Sequence, residues 1–360
     1  MPEPFQVGVS ADFQTDAAGR LEPALDAIFD PLPQIAYRYF EPSGQDAQGA
    51  VVTPADIAGF DGVLVLNARF APASFGPDPR LAVIARWGVG YDRIDVPACT
   101  AAGVALAITV DAVRRPVAEA ILTLILALAK RLPDKDRVVR ANRWDLRGAA
   151  PAIGLRDKVV GSVGLGNIGS DMFRLLEPFG LGRRLAADPY ARPEHAAALG
   201  VELVDTETVF RESDFVTINC PLMPETRGLV NARLLALMKP TAYLINTARG
   251  PIMVMQDVTD ALAAGRIAGA GLDVFDPEPL PADHPLLRMD NVILSPHSLA
   301  WTDDLYRDNS RFACENILTV LRGETPRYLV NREVTASPAY RAKLDRLAAA
   351  WAAWQTNAPA

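Results

Sequence analysis

The chain contains three histidines, His195, His284 and His297, so few side chains can act as acid and base near neutral pH. His195 lies in the polar helix start Arg192-Pro-Glu-His and reads as solvated, while His284 sits in a proline-flanked turn and reads as structural. His297 differs. It follows the apolar run 291–295 and Pro296, at a strand's carboxyl end, where open α/β sheets place their ligands. Two more runs end alike: 243–247 leads to Arg249 and 271–275 leads to Glu278. Taken singly, a turn arginine, a solvated loop acid and a core histidine are the ordinary readings. Taken together, they are three side chains after three strands of one sheet and could converge on one crevice. Arg249 would then hold a carboxylate in a fork and polarise an adjacent carbonyl, and His297 would give the oxygen a proton as hydride arrives from a nicotinamide. Glu278, if hydrogen-bonded to the imidazole, would stabilise its charged form.

A second constellation would hold that nicotinamide's carrier. Gly164-Leu165-Gly166-Asn167-Ile168-Gly169 directly follows the apolar run 159–163 and opens a helical segment, 167–179, closed by Gly180. The first glycine permits a tight turn, the second lets backbone approach a pyrophosphate, and the third allows close helix–strand packing. The anion would meet N–H groups at the helix start. Asp188 ends the next strand-like run, 24 residues after Gly164, near the spacing of a carboxylate that accepts from ribose hydroxyls and repels a 2′-phosphate. NAD is therefore favoured over NADP, although Arg192 nearby leaves the preference open.

The elements that must position these residues are short β-type runs alternating with helical segments. Phe5–Ser10, Ile35–Phe40, 62–67, 82–86 and 104–109 form one series; 158–163, 184–188, 214–220, 242–246, 269–274 and 291–295 form another. Such alternation predicts parallel sheets covered by helices on both faces, an α/β fold of doubly wound type, and six strands in the second series suggest a dinucleotide domain. Between the series, residues 117–132 form an apolar helix opened by Pro116 and closed by Pro133, either a core element or a subunit contact. Residues 134–157, rich in Arg and Trp, read as a surface arm. Tyr340, Leu344, Leu347, Trp351 and Trp354 make one helical stripe in the tail, read as docked on its own subunit in preference to a lid or partner-binding element.

Composition sets the outer limits. Three hundred and sixty residues, 50% apolar and 22% charged, can bury two cores. A net charge of −7 offers no footprint for nucleic acid or an anionic membrane, and the longest apolar run, 120–129, is about half the roughly 20 residues a membrane helix needs. Cys99, Cys220 and Cys314 are too scattered for a disulfide framework or a metal site. With no basic and apolar leader at the N-terminus, the chain reads as soluble, cytoplasmic and metal-free.

Several stretches resemble the D-isomer-specific 2-hydroxyacid dehydrogenases, from about residue 5 to residue 334. They are Gly88-Val89-Gly90-Tyr91-Asp92-Arg93-Ile94-Asp95, Val117-Ala118-Glu119, Val163 through Gly169, Cys220-Pro221-Leu222, Asn246-Thr247-Ala248-Arg249-Gly250, Gly271 through Phe275 and Ser295-Pro296-His297. The resemblance implies Arg249, Glu278 and His297 as the catalytic set, with hydride transfer between NAD(H) and a small 2-hydroxy or 2-oxo acid. It also implies that N–H groups around Gly88, Val89 and Gly90 grip the substrate carboxylate beside Arg249 and His297. The cofactor would lie against Gly164, Gly166, Asn167, Ile168, Gly169, Asp188, Cys220, Pro221, Leu222, Thr247 and Ala248, with Asp273 at the nicotinamide carboxamide. The implied architecture is a flavodoxin-like substrate domain (1–112 and 298–334), a Rossmann NAD-binding domain (113–297), a hinged cleft, and a C-terminal helical extension (335–360). The apolar helix would then be a homodimer element.

Some positions depart from the family pattern. Ala120 stands where many relatives carry a histidine, and Leu299 and Trp301 stand where small residues follow the catalytic one. Leu66 falls near the phosphate-binding arginine of phosphoglycerate-specific relatives, although Arg69 is close; Glu278, not glutamine, argues against formate-oxidising relatives. Two rival expectations stand beside the main one: a phosphoglycerate-type dehydrogenase, and an NAD-sensing, corepressor-like binding protein.

Overall fold

Parallel strands need a crossover between them, and the helical segments that separate the apolar runs supply one each time. The computed structural model describes residues 3–149 and 151–357, and the chain divides into two compact units, residues 1–113 with 302–360 and residues 114–301. Residues 1–2, 150 and 358–360, which fall within the expected domain ranges, lie outside the described residues.

In the first unit five parallel strands lie in the order Ile35–Phe40, Phe5–Ser10, Gly62–Val65, Val83–Arg86 and Ala105–Ala107. Numbered along the chain this is 2-1-3-4-5, the flavodoxin-like order. Val63, Leu64, Val83, Ile84 and Leu106 are fully buried, as expected of strands covered on both faces. The helix Asp303–Leu321 covers one face, and Gly62 lacks a side chain where a Cβ would stand 2.9 Å from Ile317. A hairpin of Gly44–Asp46 and Gly49–Val51, turned by Gly49 at φ 103°, was not foreseen, because its Gly, Gln and Asp residues carry no apolar alternation.

The tail is part of this unit rather than a separate extension. In the helix Pro338–Asn357, Tyr340, Leu347, Trp351 and Trp354 are buried, and Phe5 and Trp351 have ring centroids 5.7 Å apart. Lys343 is buried beside them. Its ammonium donates to the carbonyls of Leu81, Ala102 and Gly103 at 2.9, 2.7 and 3.1 Å. Arg346 reaches the buried carboxylate of Asp61, which also pairs with Arg80, each at 2.9 Å.

In the second unit seven parallel strands lie in the order Glu202–Leu203, Arg183–Ala187, Val159–Val163, Phe215–Ile218, Tyr243–Asn246, Gly269–Leu272 and Val292–Leu294. This is the Rossmann order 3-2-1-4-5-6 with a seventh strand added. The expected six are present. The strand not expected is Glu202–Leu203, third in that numbering, which is two residues long and too short to show a pattern. The order reverses between Val159–Val163 and Phe215–Ile218, the switch point at which such sheets open a crevice.

The long helix differs from expectation at both ends. It runs Val110–Lys130 with Pro116 in its interior, since packing of Ile121, Leu124, Ile125 and Leu128 into the second unit's core outweighs one lost backbone bond. It is not apolar all round: Arg115, Glu119 and Thr123 form an exposed stripe, with Arg115 and Glu119 paired at 2.6 Å. Arg131, at φ 51°, ends it, and a second helix with Pro133 in its first turn, Leu132–Arg140, overlaps the expected arm. No helix among the described residues is long and apolar enough to cross a membrane.

Candidate functional site

The glycine loop occupies the switch point. Gly164 has φ 100°, and a Cβ there would stand 2.8 Å from the Asn219 carbonyl and Cys220 N, so this turn needs glycine. A Cβ at Gly169 would stand 2.8 Å from the Gly164 oxygen, whereas at Gly166 it would meet nothing within 4 Å. The second glycine thus faces open space at the first turn of Asn167–Leu176, where the leading amides of a helix lack intrahelical acceptors. Asp188 closes the loop from the next strand: one carboxylate oxygen accepts from Leu165 N at 2.7 Å and the other from Tyr190 N at 2.8 Å.

Opposite the loop, the neighbouring strands Phe215–Ile218 and Tyr243–Asn246 are in register with Ile218 beside Asn246, so Asn219 and Thr247 leave the sheet side by side. Asn219 Oδ1 and Thr247 Oγ1 are both buried with no hydrogen-bond partner. Open space at Gly166 and two unmatched oxygens across the switch point suit a polar, elongated ligand such as a dinucleotide. Cys220, Pro221 and Leu222 continue from Asn219, and Ala248 follows Thr247, its N–H bonded to Asn246 Oδ1 at 2.9 Å. Burial, reinforced by the Asp188 charge, pushes the Cys220 thiol up to about 11, so it is protonated at neutral pH and no nucleophile.

Arg249, Glu278 and His297 come together at the carboxyl ends of three strands of this sheet. His297 Nδ1 lies 2.9 Å from Glu278 Oε2, and Glu278 Oε1 accepts from Phe275 N at 2.8 Å. Arg249 is held by its own loop, Nη1 donating to the Ala248 carbonyl at 2.7 Å while Asn246 Nδ2 donates to the Arg249 carbonyl at 3.0 Å. Partial burial works to raise the Glu278 carboxyl, but the hydrogen bonds from His297 and Phe275 and the charges of His297 and Arg249 outweigh it and hold it below the usual value of 4.5. A cavity of about 580 Å³ adjoins the pair, walled by Phe275, Leu280, Leu287 and Leu294.

Asp273 is buried, and its carboxylate engages the His297 loop from both sides. Oδ1 accepts from Ser295 Oγ at 2.5 Å, Ser298 N at 3.1 Å and Leu299 N at 3.2 Å. Between those contacts His297 adopts φ 55°, a left-handed conformation that costs a non-glycine residue about 1–2 kcal/mol. Sequence reasoning missed Ser295 and Ser298 as partners of Asp273, because no local spacing reveals a bond spanning more than 20 residues. It also misjudged His195, whose Nε2 lies 2.8 Å from the hydroxyl of Ser170, in the helix that follows the glycine loop. His284 accepts from Leu286 N at 3.3 Å in a turn, a structural position.

In the first unit, Gly88, Val89 and Gly90 follow the strand Val83–Arg86 at its carboxyl end. Gly88 has φ 122° and donates to Thr109 Oγ1 at 2.8 Å. Leu66 is buried. Arg69 forms an ion pair with Asp46 and donates to Gln48 Oε1 at 3.1 Å.

A family model for the "D-isomer specific 2-hydroxyacid dehydrogenase, NAD binding domain" matches residues 122–298, all within the second unit. A glyoxylate reductase of Thermofilum pendens is 40% identical over 264 residues, 71% of this chain and 76% of that protein. A D-3-phosphoglycerate dehydrogenase of Methanocaldococcus jannaschii is 39% identical over 253 residues, 70% of this chain and 48% of that protein. Among solved structures, the TT0316 protein from Thermus thermophilus matches with a TM-score of 0.76 at 28% identity, over 91% of this chain and 100% of that one.

Proposed function

Because the chain belongs to the D-isomer specific 2-hydroxyacid dehydrogenase family, we propose that it reduces a small 2-oxo acid with NADH, and oxidises the 2-hydroxy acid in reverse, with His297 as proton donor and acceptor. The observation that carries this reading is the 2.9 Å bond from His297 to Glu278, near enough to Arg249 for its charge to be felt, at strand ends of the NAD-binding unit. NAD(H) supplies the hydride.

The first-turn amides at Gly166, Asn167, Ile168 and Gly169 would take the pyrophosphate, and Asp188 the adenosine ribose, each of its oxygens keeping a lone pair for a hydroxyl. Glu278 occupies Nδ1 of His297 and so leaves Nε2 for the substrate. In reduction the imidazolium gives its proton to the carbonyl oxygen while the hydride goes to the carbon; in oxidation the neutral ring takes the hydroxyl proton. Arg249 would grip the carboxylate and polarise the carbonyl, raising the demand for that proton. In the first unit, read here as the substrate domain, Gly88 already gives its N–H to Thr109 Oγ1, which leaves the amides of Val89 and Gly90 for a substrate carboxylate.

Glyoxylate is the first substrate to test, because three of the similar proteins are glyoxylate reductases. The pairing of Arg69 with Asp46 and Gln48 favours an unphosphorylated substrate. The purified chain with NADH should turn over glyoxylate, pyruvate or hydroxypyruvate, followed by loss of nicotinamide absorbance. Turnover of 3-phosphohydroxypyruvate alone would move the assignment to the phosphoglycerate type, and NADH binding without turnover of any 2-oxo acid would favour a sensing protein. A homodimer is proposed, covering the exposed Leu132, Val139, Trp144 and Leu146 of the arm, and light scattering after size exclusion tests it. Three free cysteines suit a reducing, cytoplasmic location.

A further inference from the structure

A hydroxyl stands in an unusual place beneath the glycine loop. Ser162 is the fourth residue of the apolar strand Val159–Val163 and is fully buried, as is Thr217 on the neighbouring strand. Burying polar groups costs stability unless they are matched, and alanine would fill the Ser162 position without that cost. The matching here has a direction. Asn219 Nδ2 donates to Ser162 Oγ at 2.8 Å and to Thr217 Oγ1 at 3.1 Å; Ser162 donates to the Gly164 carbonyl at 2.6 Å, and Thr217 to the Gly161 carbonyl at 3.1 Å. Each hydroxyl has one proton and commits it to a carbonyl, so it must accept from the amide. The Asn219 side chain is thereby fixed with both donors used and Oδ1 unmatched.

The chain of bonds ends on the peptide that sets the loop. The Gly164–Leu165 peptide is gripped at both ends, its carbonyl by Ser162 and its N–H by Asp188 at 2.7 Å, while Gly164 has φ 100°. Any rotation of this peptide turns the amides that follow it, at Gly166, Asn167 and Ile168, away from a common centre. We propose that Ser162 and Asn219 are cofactor-positioning residues: their buried relay locks the Gly164–Leu165 peptide so that the helix-start amides face the dinucleotide pyrophosphate before it binds. Ser162, fully buried with its proton on the Gly164 carbonyl, acts through Gly164, and the Asn219 amide acts through Ser162, lowering the ordering cost of binding.

The test is a fluorescence titration of NADH against the full chain and Ser162→Ala, with steady-state kinetics and a thermal melt alongside. Loss of one charge-free hydrogen bond that sets a binding geometry should raise the NADH Kd about tenfold. kcat at saturating NADH and the KM for the 2-oxo acid should stay within twofold. Asn219→Leu, similar in shape, leaves the Ser162 hydroxyl on Gly164 but removes its support, so it should raise Kd less, by about threefold. If Ser162→Ala does not fold, Ser162→Cys, whose thiol donates only weakly to the Gly164 carbonyl, takes its place. A Kd within twofold of the parent in the folded variant overturns the proposal, whatever happens to the melting temperature, since a merely structural hydroxyl would lower the melt and spare the Kd.

Discussion

His297 and Glu278 form a pair in which each fixes the other: the imidazole Nδ1 sits 2.9 Å from one carboxylate oxygen, and the second oxygen is pinned by the Phe275 N–H at 2.8 Å. The carboxyl is held below its usual 4.5, so the negative partner persists to lower pH than an isolated glutamate would.

Replacing Glu278 by Gln should loosen the hold on His297 Nδ1. A neutral amide accepts more weakly from Nδ1 and can present its NH2 instead, so it orients the imidazole less firmly, and kcat should fall by about tenfold or more. Steady-state kinetics in both directions, with a thermal melt, check this. An unchanged kcat in the folded variant would separate Glu278 from the proton transfer.

His297→Ala should lower kcat roughly 10²- to 10⁴-fold, the range for one positioned acid–base group, with NADH binding retained. Steady-state kinetics with the best 2-oxo acid and an NADH titration decide it. A loss of only a few-fold would take the proton transfer away from this ring.

Arg249 is oriented by the Ala248 carbonyl at 2.7 Å, so its guanidinium is placed before substrate arrives. Arg249→Ala should raise KM and lower kcat together, since a fork on the carboxylate both binds and aligns. Lysine at this position, a single point charge, should recover the KM more than the kcat. A change in KM alone would limit Arg249 to binding.

The two sheets were legible because their strands are short runs rich in valine, isoleucine and leucine, such as Gly62–Val65 and Val292–Leu294, and the switch point was legible because glycines and an acid follow in fixed order. What escaped reading depends on partners distant in the chain. Ser162 looks like a neutral interruption of a strand until Asn219, 57 residues away, is seen beside it. Pro116 reads as a helix start, and only the packed core around Ile121 and Leu124 shows how a helix continues through it. Edge pairs such as Glu202–Leu203 are too short to carry periodicity.

Asp273 grips the His297 loop through Ser295, Ser298 and Leu299, and the loop needs gripping because His297 sits at φ 55°. Asp273→Asn keeps the shape but weakens the acceptor toward two N–H groups and one hydroxyl. kcat should fall by about tenfold or more, as the imidazole loses its orientation. Kinetics and a melt distinguish this from unfolding: an unchanged kcat in a folded variant would show that the loop holds its shape without the charge.

Lys343 ties the tail helix to three carbonyls, of Leu81, Ala102 and Gly103. Lys343→Met should leave those oxygens without a donor and lower the melting temperature by roughly 2–6 °C at pH 7, about 1–2 kcal/mol. Burial pulls the ammonium from its usual 10.5 down to about 8. Below pH 8 both folded and unfolded chains hold the proton, and the parent bears the full cost of burying the charge. Between pH 8 and 10.5 the unfolded chain binds more protons, so folding stability contributed by this group rises with pH. The melting-temperature gap between parent and Lys343→Met should therefore widen across that interval. A gap that narrows there would mean that the three carbonyls hold the ammonium charged despite its burial.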